Sequence, residues 1–174
     1  LNMGIHTHFN NYVESLREIL DKKYDAIFVG TGAPKGRDLN IPGRQEANAN
    51  IHIGINWLAS VAFEHTSKIG KKVIVLGGGN TAMDCCRTSR RLGGEEVKVV
   101  VRSPFAEMKA SPWEKEDAIH EDIPIIDNHV PLEFVLKEGK LIGMNFDKVH
   151  PVVDEAGKKK MVSMGEPPVF IEAD

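Results

Sequence analysis

Apolar side chains recur along the chain with two different periods, and each change of period marks a new element. Between residues 11 and 22, Val13, Leu16, Ile19 and Leu20 fall on one stripe of a helix. Tyr24-Asp25-Ala26-Ile27-Phe28-Val29 reads as a buried strand running into Gly30-Thr31-Gly32-Ala33-Pro34. Pro34 to Asn50 holds Gly36, Pro42 and Gly43 among polar residues and reads as a loop. Ile55, Leu58, Ala59, Ala62 and Phe63 repeat at i, i+3, i+4, i+7 and i+8, which predicts a second amphipathic helix. Val73-Ile74-Val75-Leu76 is wholly apolar, as a strand covered on both faces of a parallel sheet requires. A glycine turn and a helix from Thr81 to Leu92 follow, stopped by Gly93-Gly94. Val97 to Val101 and Pro124-Ile125-Ile126 read as two further strands. Between them Ser111-Pro112-Trp113-Glu114 has the form of a capping box with proline at the first helical position. Beyond Val130, Phe134-Val135-Leu136, a turn at Glu138-Gly139, Leu141 to Phe146 and Val169-Phe170-Ile171 predict an antiparallel meander.

The order β-α-β-α-β followed by hairpins describes an α/β chain, a small dinucleotide-binding fold of parallel sheet plus antiparallel β-meander. The 174 residues suit one domain or two small ones, and 41% hydrophobic with 27% charged residues is the composition of a globular chain. The balance of 22 basic against 25 acidic residues gives no basic field, so nucleic acid and anionic membranes have no electrostatic support as partners. No apolar run is long enough to span a bilayer. Cys85 and Cys86, adjacent and without a disulfide framework, fit a reducing cytoplasm. The chain begins at Leu1 and ends just after an apolar strand, so it reads as a piece of a longer one.

Gly77-Gly78-Gly79-Asn80-Thr81-Ala82 fits G-x-G-x-x-A between a buried strand and a helix. Gly77 permits the tight turn, Gly79 lets backbone approach a pyrophosphate, and Ala82 lets the helix pack close to the strands. The helix N-terminus offers unpaired N–H groups, so Gly78, the Gly79 and Asn80 amides and the Thr81 hydroxyl are the expected contacts. An NAD site places an acid at the end of the second strand. Here that strand ends in Arg102, which favours a 2′-phosphate and hence NADP, with Lys109 as a second positive charge.

The remaining candidates are weaker. Adjacent cysteines on a helix point about 100° apart, which suits core packing better than redox chemistry. The seven histidines are scattered, and His6 and His8 lack a carboxylate at metal-site spacing. Asp84 is explained by the helix dipole, Glu114 by the capping box, and Trp113 reads as a packing residue rather than a nicotinamide platform. No nucleophile constellation is readable, so no catalytic side chain is assigned.

The run Val73 to Cys85, with Arg102 and Ala106-Glu107-Met108-Lys109-Ala110, resembles the NADPH domain of the glutamate synthase small (beta) subunit family. The N-terminal module of dihydropyrimidine dehydrogenase is similar. Tyr24 to Ala33 resembles the segment in which that family's FAD domain returns to its flavin. The resemblance implies a glutathione reductase-type architecture with two dinucleotide-binding domains: a partial FAD-domain segment with its connecting helix over 1–63 and a Rossmann-like NADPH-binding domain over 64–174. It implies that NADPH delivers hydride to FAD near Thr31, Gly32 and Ala33, and that electrons pass to iron–sulfur centres or a partner subunit. FAD belongs to the full-length protein and is not expected on this chain alone, because the family's own FAD fingerprint and last FAD segment are missing here. The family's iron–sulfur cysteines are missing too, and Ser103 stands where a second arginine often follows the first. An NAD(P)-sensing module without redox chemistry is the alternative; it would have no need of Tyr24 to Ala33.

Overall fold

A computed structural model describes residues 3–32 and 35–174. The chain forms two compact units, Leu1–Pro34 and Lys35–Asp174.

Among the described residues of the first unit only α1, Leu16–Leu20, is regular, capped by the Ser15 hydroxyl accepting from the Arg17 N–H. The longer helix expected over 11–22 is not formed. Most helical stability comes from burying an apolar face, yet Val13, Leu16 and Leu20 all stay exposed. The strand expected at Tyr24 to Val29 is also absent, and Phe28 is 95% exposed. A strand exists by pairing, and no strand among the described residues pairs with this segment.

The second unit holds α2 (Gly54–Ala62), β1 (Lys72–Leu76), α3 (Asn80–Arg91), β2 (Glu96–Val100), α4 (Pro112–His120), β3 (Ile125–Ile126), β4 (His129–Lys137), β5 (Lys140–Val153), β6 (Lys159–Ser163) and β7 (Val169–Glu172). Strands β1, β2 and β3 form a parallel sheet in that order, with Leu76 opposite Val100 and Val100 opposite Ile126. Side chains alternate across a strand. Val73, Val75, Val97 and Val99 therefore pack on the α3 and α4 side against Met83, Cys86 and Ala118. Ile74, Leu76, Val100 and Ile126 face the other way, against Phe134, Met144, Phe146 and Ile171 of the meander. Two covered faces explain the unbroken apolar run Val73 to Leu76 of β1, whereas β2 keeps the polar Glu96 and Lys98 in its first half.

Strand β5 is the axis of the antiparallel layer. Its first half lies between β4 and β7, and its second half pairs with β6. The sequence pattern missed β6, whose Lys159, Lys160 and Ser163 are exposed and leave only Met161 partly covered. After β7, the Asp174 carboxylate accepts from the Lys71 and Lys72 N–H groups at 2.7 and 2.9 Å, joining the meander to the start of β1. Helix α2 matches its expected span, but its buried face centres on Trp57 rather than on Ala59, Ala62 and Phe63. Gly54 lies against the Cys85 sulfur, which rolls α2 onto α3 through that side. None of the helices among the described residues is long and apolar enough to cross a membrane.

Candidate functional site

The glycine turn joins the C-terminal end of β1 to α3. The Gly77 N–H donates to the Val100 carbonyl at 3.1 Å, and Gly77 sits at φ +136°, a conformation that favours glycine. A Cβ there would lie 3.5 Å from the Ala82 Cβ, an ordinary contact, so it is the φ rather than crowding that asks for glycine at 77. At Gly78 a side chain would meet the Val101 and Met108 side chains at 3.1 and 3.3 Å; its bareness serves packing. Gly79 differs. Its backbone is extended, and a Cβ would meet nothing within 4 Å. Protein packing does not demand glycine there, and the space above it is open.

Around that space lie donors without acceptors. Among the described residues the N–H groups of Gly78, Gly79, Asn80 and Thr81 have no hydrogen-bond partner, whereas those of Ala82 and Met83 are satisfied by the Gly79 carbonyl. Gly79, the residue before α3, makes no side-chain cap. Four free amides at the positive end of a twelve-residue helix can hold an anion of pyrophosphate type.

Arg102 lies two residues beyond Val100, the register partner of Leu76, so it stands at the same sheet end as the turn. Lys109 is brought there by its neighbours: Met108 packs at Gly78, and the Ala110 N–H donates to the Gly78 carbonyl at 2.9 Å. Arg102 and Lys109 are both exposed, and neither makes an ion pair among the described residues. The structure thus gathers Gly77, Gly78, Gly79, Asn80, Thr81, Ala82, Arg102 and Lys109 at one place. Thr31 and Gly32 belong to the first unit and are exposed; Ala33 lies outside the described residues.

Two local expectations are corrected. Ser111 precedes α4, but its hydroxyl makes no cap bond and is buried without a partner, and Glu114 does not reach back to it. The Glu114 carboxylate instead accepts from Arg87 of α3 at 3.3 Å, beside Asp117 and Glu121 on the same guanidinium at 3.0 and 2.8 Å. The Ser111 N–H is taken by the Asn80 side-chain oxygen at 2.9 Å. Trp113, expected to pack, is 65% exposed and belongs to neither core cluster. Burial pushes the Cys85 thiol up to about 11 and the Cys86 thiol up to about 12, so these are packing groups. No group of three potential ligands that could hold a metal ion occurs among the described residues.

Residues 7–165 match the pyridine nucleotide-disulphide oxidoreductase family. The chain belongs to that family. It is 28% identical over 99% of its length to the NADP(+)-dependent formate dehydrogenase subunit beta of Moorella thermoacetica, covering 25% of that protein. It is 33% identical over 80% of its length to the glutamate synthase [NADPH] small chain of Azospirillum brasilense, covering 31%. The chain spans a quarter to a third of the length of these oxidoreductases. In fold it is similar to FprA of Mycobacterium tuberculosis, solved in complex with NADPH, with a TM-score of 0.67, 18% identity, 90% of this chain and 50% of that one. The α/β fold of parallel sheet and antiparallel meander is thus shared with that structure.

Proposed function

We propose that this chain is the NADPH-binding part of a flavin-dependent oxidoreductase, with the dinucleotide laid over Gly77 to Ala82. The observation that carries the reading is the open space above Gly79, ringed by four unpaired amides. The residues fit the cofactor. The amides of Gly78, Gly79, Asn80 and Thr81 suit the pyrophosphate, and the Thr81 hydroxyl adds a further donor. Arg102 can meet a 2′-phosphate with paired, charge-assisted hydrogen bonds, while Lys109 adds a point charge. When bound, NADPH supplies a hydride that FAD accepts, so the chain's own residues bind, orient and set the local electrostatics.

Thr31, Gly32 and Ala33 are assigned to the flavin side, with FAD held by further segments of the full-length protein. Electrons then leave for iron–sulfur centres or a partner subunit. A partner subunit is supported by the relatives' names, one a subunit beta and the other a small chain.

The test is Gly79→Val. Valine tolerates the extended backbone at this position and its Cβ would meet no protein atom within 4 Å, so the fold should survive. NADPH affinity measured by titration calorimetry should fall by at least about tenfold while the circular dichroism spectrum is kept. Unchanged affinity in a folded variant would remove the assigned site.

A further inference from the structure

We infer that Asn80 is a positioning residue for cofactor selectivity: its side chain fastens the backbone at Ser111 to the glycine turn and thereby sets Lys109 beside the 2′-phosphate. The inference rests on the NADPH reading above. The loop that follows β2 leaves the sheet at Arg102 and comes back to the turn at Met108. Its outer part is held by the Asp127 carboxylate, which accepts from the Phe105 N–H at 2.8 Å, and by an ion pair between Glu107 and Lys159. Its returning part is held by two hydrogen bonds to the turn, Ala110 N–H to the Gly78 carbonyl and Ser111 N–H to Asn80 Oδ1, each 2.9 Å.

Lys109 sits inside that returning part. Met108 and Ala110 on either side of it are buried, and Lys109 alone points to water. With the backbone pinned on both sides, its ammonium is confined to the reach of its own stem.

Asn80 is suited to the tether by two facts. Ser111 is half-buried at the start of α4, and its N–H finds its partner in Asn80 Oδ1 of α3. Asn80 is the first residue of α3, where an aspartate would satisfy both the helix dipole and the same N–H. A carboxylate there would stand against the phosphates of the cofactor. The amide oxygen accepts the bond without bringing a charge.

The experiment is a paired titration of NADPH and NADH on the full-length protein, in wild type, Asn80→Ala, Lys109→Ala and the double variant. Alanine at 80 keeps the backbone N–H for the pyrophosphate and removes only the tether. Lys109→Ala should weaken NADPH about three- to fivefold, the size expected of one exposed charge contact, with NADH changed by less than about twofold. Asn80→Ala should do the same, and the double variant should lose no more than Lys109→Ala alone, since groups that act through one another are not additive. Amide hydrogen exchange should show faster exchange at Ser111 in Asn80→Ala, with α3 still protected. Multiplying losses in the double variant, equal weakening of both cofactors by Asn80→Ala, or no effect of Lys109→Ala would overturn the tether and leave the NADPH reading standing. A wild type that binds NADH as well as NADPH would overturn that reading itself.

Discussion

Cys85 and Cys86 lie in α3 and are both buried, Cys86 in the cluster against the sheet and Cys85 against Gly54 of α2. Burial is the main cause of their raised pKa values, of about 11 and about 12, with Asp84 adding its negative charge at Cys85. At pH 8 the thiolate is then a fraction of about one in a thousand or less. Ellman's reagent should therefore titrate neither thiol readily in the native protein and both after guanidinium; prompt native reaction would refute the packing role. Their adjacency made this legible in the sequence, as did the small residues at 77, 79 and 82, because strand-turn-helix chemistry is local. The roles of Glu114 and of the Asn80 side chain were hidden. Glu114 answers to Arg87, 27 positions away, and Asn80 to Ser111, 31 positions away. No local rule connects such pairs.

Helices α3 and α4 are joined through Arg87, whose guanidinium binds Glu114, Asp117 and Glu121, while Arg91 shares Glu121 at 2.6 Å. Burial works to raise the Glu121 carboxyl, but the Arg87 hydrogen bond and the charges of Arg91 and Arg87 outweigh it and hold the group below its ordinary value. A carboxylate lowered in the folded state adds stability above that ordinary value and loses it as pH falls through the lowered one. Arg87→Ala leaves three acids facing one another and should cost roughly 1–2 kcal/mol near neutrality, between the surface and buried limits for ion pairs. In thermal denaturation the gap to wild type should narrow below about pH 4.5; a gap independent of pH would refute the network. The elements that sequence patterning placed well, β1, α3, β2 and most of the meander, are those whose apolar runs have a partner. The segment Tyr24 to Val29 carries the same apolar signal, yet it forms no strand because pairing is not a local property. Strand β6 fails in the opposite sense: its pairing with β5 supplies what its lysine-rich sequence does not show.

Over the whole molecule, the second unit presents an open glycine turn, four unpaired amides and two exposed cations at one end of a parallel sheet, in a chain of the pyridine nucleotide-disulphide oxidoreductase family. In the proposed reading this end receives NADPH, and Arg102 meets its 2′-phosphate. A 2′-phosphate carries close to two negative charges, and a paired, charge-assisted contact with arginine is worth roughly 1.5–3 kcal/mol, or about ten- to a hundredfold in affinity. The most direct measurement is a titration of NADPH and NADH against wild type and Arg102→Ala. Wild type should prefer NADPH, the preference should shrink as salt is raised, and Arg102→Ala should lose NADPH affinity by that factor with NADH nearly unchanged. Equal binding of the two cofactors by wild type, or equal losses of both in Arg102→Ala, would contradict the account.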